Sequence, residues 1–487
     1  MRIVLMPNWG LSNITGDSDF QEHIRLCQLA TELYDDMYFY VVIDQMYEKD
    51  RAVLPEYRNM EYVFVDEPGD YMSRYGAIRF NYWDLFSQNN GLYPIDAVFT
   101  SRLWAAPHIG QVLADTRVKK EIPVIGRSAS TWNFGTLNNI YWNLLTAVTC
   151  ASCHYVMFGT YDYEDHYEYV KNLLSPTMIQ RFEKTCLVTH LGLEFEKLDL
   201  LKKRFKKNDR MTLFYGTRFS EVKQVQNVFK VYDQIYSTGR DIDIVVTTPN
   251  SENSVSKKVF VKKYLHDCVK FFGMDYDKES YLREAVKTHV FMTDSRDEMA
   301  SNFLIEQMYL GVIAVVPDRA WVWSMIPKDY PFIFRSLPEA YSMITWILEN
   351  YSEAFKKFEP YLDFIHQNYD YRNNDRKILE HIRKVVFESW GNTGANEYSY
   401  MRKLFKKVLM SEFEGVEEFS LQTFVDLAKN HVGLIDKMTR RRSGFHEQKM
   451  VTKWQLYRFL IDQGYKDLCN GSQPTFRKEK RHGKNSV

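Results

Sequence analysis

The sequence has no apolar run of the roughly 18 to 20 residues that a bilayer-crossing helix needs. Its opening, MRIVLMPNWG, carries one Arg and a short apolar run that ends at Pro7, which suits a first β-strand better than a secretory leader. A soluble, cytoplasmic protein is expected. Cysteine is scarce: Cys27, Cys150, Cys153, Cys186, Cys268 and Cys469 in 487 residues do not make a disulfide framework. Cys150-Ala-Ser-Cys153-His154 has the spacing of a c-type haem attachment site, but haem attachment requires export; zinc or redox chemistry ranks next, and plain packing first. No repeat of solenoid period is present. The only low-complexity tract is the tail FRKEKRHGKNSV (476–487), expected to be disordered. Net charge is also lacking, with 63 Lys and Arg against 63 Asp and Glu.

That balance is uneven along the chain. Residues 437–487 hold 13 Lys and Arg against 4 Asp and Glu, a net +9 that suits a polyanionic partner or a merely solvated tail.

With 45% apolar and 15% aromatic residues, there is ample core material for two large lobes and a smaller unit. Short β-branched and aromatic runs alternate with helix-length segments, the pattern of parallel sheets flanked by helices. The first series falls at 2–7, 37–44, 61–66, 96–101, 122–127, 154–159 and 186–191, and the second at 211–216, 241–248, 269–274, 289–294, 312–318 and 331–335. The expected class is α/β, two doubly wound Rossmann-like lobes: 1–200, then 201–391 with closing helices at 337–367 and 375–390. A basic helical extension, 392–487, with helix-like segments at 419–433 and 449–468, completes the chain. The charged segment 194–210 marks the break between lobes.

In doubly wound sheets, ligands bind beyond the carboxyl ends of the strands. After the first strand of the second lobe stands Gly216-Thr217-Arg218, with Lys223 beyond it. A guanidinium fork and an ammonium point charge suit a diphosphate, although two solvated cations would look the same. After the fourth strand comes DEMASNFLIEQMYLG (297–311), with Glu298 in the loop and Glu306 about one turn into a helix that stops at Gly311. Carboxylates accept paired hydrogen bonds from the hydroxyls of a ribose or hexose. Hydroxyls, phosphates and hydroxyls in turn describe a nucleotide sugar.

On these residues the chain resembles the retaining glycosyltransferases of the GT-B fold, in particular the family 4 group, with a Gly-Arg-x4-Lys segment and a Glu-x7-Glu segment in the donor lobe. Here one residue more separates Gly216 from Arg218, and the Glu298–Glu306 spacing agrees. The resemblance is close over about 205–320 and architectural over 1–200. It implies that Arg218 and Lys223 bind the diphosphate and stabilise its developing charge. Glu306 would hold the ribose, Glu298 would lie against the transferred sugar, and the Phe272-Gly273-Met274 turn would receive the base. Backbone amides of Met299, Ala300 and Ser301 would complete the donor site, where the family has Gly-Phe-Gly. It further implies retention, no required cofactor or metal, and a donor such as UDP-glucose.

The first lobe departs from the pattern. Its Gly-rich turn is reduced to Trp9-Gly10 and Gly16, and Arg127, Ser128 and Ser130 stand where a His is often found. Trp9, Gly10, Arg127, Ser128 and Ser130 are the acceptor-side candidates. Residues 19–36 form an acidic helix, which argues against a lipid acceptor. Arg440, Arg441, Arg442, Lys449, Lys453, Trp454 and Arg458 combine phosphate-binding cations with an aromatic surface. In overall plan the chain is similar to the phage DNA glucosyltransferases that modify hydroxymethylated pyrimidines, so double-stranded DNA is the expected acceptor, with a flipped base. The protein would then work in a host cytoplasm. A cell-surface glycan, teichoic-type polymer or protein acceptor is the alternative, and a non-catalytic nucleotide- or nucleic-acid-binding module the second.

Overall fold

A computed structural model describes residues 1–7, 14, 18–65, 85–86, 95–101, 106–115, 122–127, 153–217, 222–248, 269–273, 278–296, 298 and 301–392, with 418–420, 423, 460, 465–467 and 475–478 beyond them. The first lobe is built on a seven-stranded parallel sheet. Its strands are β1 (Arg2–Met6), β2 (Tyr38–Asp44), β3 (Met60–Val65), β4 (Ala97–Thr100), β5 (Val124–Arg127), β6 (His154–Phe158) and β7 (Cys186–Thr189), in the order β3-β2-β1-β4-β5-β6-β7. The second lobe holds a six-stranded parallel sheet of β8 (Thr212–Tyr215), β9 (Asp243–Thr248), β10 (Val269–Gly273), β11 (Val290–Met292), β12 (Ile313–Pro317) and β13 (Ile333–Phe334), in the order β10-β9-β8-β11-β12-β13. In each sheet the order reverses beside the first strand, between β1 and β4 and between β8 and β11, and a crevice opens there.

Alternation along a strand sends successive side chains to opposite faces. Ile3 and Leu5 accordingly enter one core of the first lobe, and Val4 and Met6 the other. Both faces are covered, so these strands read as continuous apolar runs. The expected strand positions agree with all thirteen strands of the two sheets.

Helices alternate with these strands: α1 (Ser18–Leu33), α2 (Ala106–Asp115), α3 (Thr160–Leu173), α4 (Pro176–Thr185), α5 (Phe195–Arg204), α6 (Val225–Tyr236), α7 (Lys278–Val286) and α8 (Asn302–Tyr309). The segment 337–367 is not one helix: the short α9 (Ala320–Trp323) is succeeded by α10 (Leu337–Glu349), α11 (Tyr351–Phe358) and α12 (Pro360–Tyr369). Asn350 ends α10, and Pro360, which lacks the N–H an interior turn would use, starts α12.

The last long helix, α13 (Tyr371–Asn392), belongs by its place in the sequence to the second lobe. Instead it crosses back: Ile378, Leu379, Ile382, Val385 and Val386 are buried in the first lobe's core with α1. An amphipathic stripe shows that a helix has a buried face, not which core receives it. The two crossings between lobes lie side by side. Leu193 N–H donates to Tyr369 C=O at 2.7 Å and Tyr371 N–H to Leu193 C=O at 3.2 Å.

The extension is corrected in its described parts. Glu418–Ser420 (β14), Tyr465–Asp467 (β15) and Thr475–Lys478 (β16) form a three-stranded antiparallel sheet in the order β14-β16-β15. Helices expected over 419–433 and 449–468 give way to strands at 419–420 and 465–467, whereas Thr423 and Leu460 are helical, and β16 takes the start of the tail. Among the described residues no helix is long and apolar enough to cross a membrane.

Candidate functional site

The loops after β8 and β11 meet at the crevice between those strands. Arg296 N–H donates to Val222 C=O at 2.9 Å, which fixes one loop to the other. Immediately beyond this bond the Lys223 ammonium and the Glu298 carboxylate form an ion pair, with side chains only 17% and 13% exposed. Neither charge could be held this far from water without the other.

The turn that carries Lys223 is strained. Gln224 has φ of 50°, a left-handed conformation that an unbranched side chain adopts at a cost of order 1 kcal/mol. It is held from both sides by Asn227, whose side-chain N–H2 donates to Gln224 Oε1 at 3.0 Å and to Asp294 Oδ2 at 2.7 Å. Asp294 in turn accepts from Arg319 Nη2 at 2.8 Å. Thus a chain of polar contacts runs from the end of β12 through the end of β11 to the lysine turn. Asn227, Asp294 and Arg319 have no local motif in the sequence, since each finds its partner across the sheet.

Gly216 stands just past β8 and has no room for a side chain. An added Cβ would lie 2.8 Å from ring atoms of both Phe214 and Tyr281. Tyr281 is itself set by Gln307, which donates to its hydroxyl at 2.7 Å. Thr217 turns inward and donates to the Tyr215 hydroxyl at 2.6 Å. Burial, and then the nearby Glu298 charge, raises the Tyr215 hydroxyl above the usual tyrosine range.

Glu306 lies one turn into α8 and is 5% exposed. Its partner is Lys278, the first residue of α7, with Nζ to Oε1 at 2.7 Å. This cation answers how a carboxylate survives on an apolar helix, and no spacing in the sequence points to it. Ser301 caps α8, its side chain accepting from Leu304 N–H at 3.3 Å. The Ser301 N–H donates to Met325 Sδ at 3.3 Å, so this one of the three expected donor-site amides is already engaged. The helix stops as expected at Gly311, φ 75°, where Gly311 N–H reaches Met308 C=O at 2.9 Å and Val312 N–H reaches Gln307 C=O at 3.0 Å, a Schellman pair.

Gly273 ends β10 two strands beyond β8, at the far edge of the sheet. Arg218, Met274, Met299 and Ala300 lie outside the described residues, as do Trp9, Gly10, Ser128, Ser130 and the basic candidates Arg440, Arg441, Arg442, Lys449, Lys453, Trp454 and Arg458.

On the first lobe, Arg127 ends β5 and is buried at 4% exposure. Its guanidinium is paired with both Asp19 and Glu22 of α1 and lies 4.6 Å over the Phe158 ring. It is a neutralised group within a polar cluster rather than a free cation. Cys153 and His154 sit at the opposite end of that sheet. Burial pushes the Cys153 thiol up to about 12 and His154 down to about 4, and the His154 ring packs against His381 at 6.4 Å. These are packing roles; Cys150 lies outside the described residues.

No protein-family model matches the chain, and no curated protein matches it in sequence. Solved structures do match. Sucrose-phosphate synthase from Thermosynechococcus elongatus superposes with a TM-score of 0.60 at 12% identity, over 80% of this chain and 99% of that one. The alpha,alpha-trehalose 6-phosphate synthase of Burkholderia multivorans gives 0.58 at 8% identity, over 80% and 99%. HepE of Anabaena, solved in complex with UDP-glucose, gives 0.55 at 10% identity, over 79% and 100%. At such identities the likeness speaks for architecture: the chain has the GT-B fold, two parallel Rossmann-like sheets in separate lobes.

Proposed function

We propose that this protein is a retaining glycosyltransferase that takes a sugar from a nucleotide-sugar donor, UDP-glucose or a similar compound, and passes it to a hydroxyl. The observation that carries this reading is the meeting of Lys223 with Glu298, just ahead of the helix that bears Glu306, at the crevice of a GT-B donor lobe. A bound diphosphate would take Lys223, together with Arg218, and release Glu298 to accept hydroxyls of the sugar. Glu306 beside Lys278 would hold the ribose. Met299, Ala300 and Ser301 follow Glu298 in the sequence, on the side of the transferred sugar, and Gly273 and Met274 would receive the base.

In the reaction the bond from the sugar's anomeric carbon to the diphosphate oxygen breaks, and a bond to the acceptor oxygen forms on the same face. The acceptor's proton passes to the departing phosphate. Lys223 stabilises the charge that gathers there, and because it is already positioned no reorganisation is needed at that moment. No side-chain nucleophile, metal or other cofactor is required by this route.

Two like-fold proteins are sugar-phosphate synthases by name and a third was solved with UDP-glucose, which supports a UDP-sugar donor and puts a small sugar-type acceptor alongside the polymeric ones. The hydroxymethylated DNA base rests on the +9 charge of 437–487, its interleaved aromatics and a likeness in overall plan, and none of these three solved structures is described as acting on DNA. Nucleotide release from UDP-, GDP- and ADP-sugars, with hexose phosphates or hydroxymethylated duplex DNA added, tests both levels. No release from any donor under any condition would refute the enzyme reading, and stimulation by hexose phosphate but not DNA would remove the nucleic-acid acceptor.

A further inference from the structure

We infer that Glu22 of the first lobe and Asn302 of the second form a latch that sets how the lobes meet over the donor, with Arg127 as the positioning residue that holds Glu22. Only the kinetic readout of this inference rests on the glycosyltransferase reading.

Asp19, Glu22 and His23 share one face of α1 by their spacing of three and four residues. Asp19 and Glu22 are only 8% and 7% exposed, and two carboxylates so placed would repel each other or take up protons. Arg127 resolves this by pairing with both. Ser101, just after β4, donates to Asp19 Oδ1 at 2.9 Å and accepts from Arg127 Nη1 at 3.2 Å. One cation between two acids leaves this trio with a net charge of −1, and Glu22 Oε1 accepts from Asn302 Nδ2 at 3.3 Å.

Asn302 is the first residue of α8, in the stretch between Glu298 and Glu306. Its Oδ1 is buried and has no partner among the described residues, so its amide orientation is set by Glu22: turned over, it would put oxygen against a carboxylate. An amide on a carboxylate is a modest bond, strong enough to select one lobe arrangement and weak enough to release. Arg25, three residues beyond Glu22 on α1, pairs with Asp375 of α13 at 3.2 Å, just past the crossing at Asp370–Tyr371. A single helix thus touches the crossing between the lobes at one point and the latch at another.

The test exchanges donor and acceptor. Asn302→Asp places a carboxylate against Glu22, while Glu22→Gln supplies an amide that can donate; together they rebuild the bond in reverse. Asn302→Asp is expected to lower kcat by about tenfold with donor KM changed less than about twofold, because the donor groups sit in the second lobe, and to enlarge the radius of gyration in small-angle scattering. Glu22→Gln combined with Asn302→Asp is expected to restore both. A rise in donor KM at unchanged kcat would mean a disturbed Glu306 helix and overturn the latch, as would a double variant no better than Asn302→Asp. Should Asn302→Asp fail to fold, Asn302→Ser, which removes the reach to Glu22, is read by the same criteria. If no donor turns over at all, the glycosyltransferase reading falls, and scattering of the three variants still decides the latch.

Discussion

Lys223 and Glu298 neutralise each other across the loops after β8 and β11, on the strand ends where a ligand of this fold would lie. The pair is largely shielded from water, so removing one partner strands the other. Lys223→Met or Glu298→Gln alone should therefore destabilise the protein by roughly 1–3 kcal/mol in urea unfolding. The double variant should recover much of that loss and none of the activity. Full stability in both single variants would show that the pair is solvated and that the site is open to water.

Gly216 tests the same site without touching a charge. An alanine Cβ would stand 2.8 Å from the Phe214 and Tyr281 rings, and Tyr281 is tied to Gln307 beside Glu306. Gly216→Ala should shift the turn that leads to Lys223 and weaken UDP binding by about tenfold in calorimetry, a loss of about 1.4 kcal/mol. Unaltered UDP affinity would place the diphosphate elsewhere.

Both sheets were legible in the sequence because their strands are buried on two faces and read as unbroken apolar runs. The donor candidates were legible because Gly216, Lys223, Glu298 and Glu306 come after strands at short spacing. What lay beyond reach is non-local. Lys278, Asn227, Asp294 and Arg319 act on partners from other elements, and α13 carries a stripe that fits either core. The segment 449–468 has helical spacing, yet Tyr465–Asp467 pairs as a strand with Thr475–Lys478, because a short periodic pattern cannot report a partner found later in the chain.

Acid should loosen the fold through its buried histidines. Burial pushes His154, His289 and His381 each down to about 4 from an ordinary value of 6.5. An unfolded chain protonates these rings near 6.5, whereas the folded one resists until about 4, so the unfolded state binds more protons in between. Their contribution is complete above 6.5 and is lost as pH falls towards 4, with a slope of up to about 1.4 kcal/mol per pH unit for each ring. His381→Phe should flatten the fall in unfolding free energy between pH 6.5 and 5 relative to the unsubstituted protein. An identical slope would mean that His381 is already protonated or open to water in the folded state.

The crossing between the lobes offers the most demanding substitution. Gly192 stands against the second crossing, where an added Cβ would lie 2.6 Å from Tyr371 Cα and 2.9 Å from Asp375 Oδ1. The nearest obstacle is backbone, which cannot rotate aside as a side-chain end could, and the strand-like bonds of Leu193 to Tyr369 and Tyr371 hold that backbone in place. Gly192→Ala must therefore push the crossings apart and strain the Arg25–Asp375 pair, at a cost of about 1–3 kcal/mol. Because both lobes depend on this contact, the loss should appear as lower cooperativity, with the two lobes unfolding at separate urea concentrations. A single sharp transition at the original midpoint would show that the crossings are free to slide.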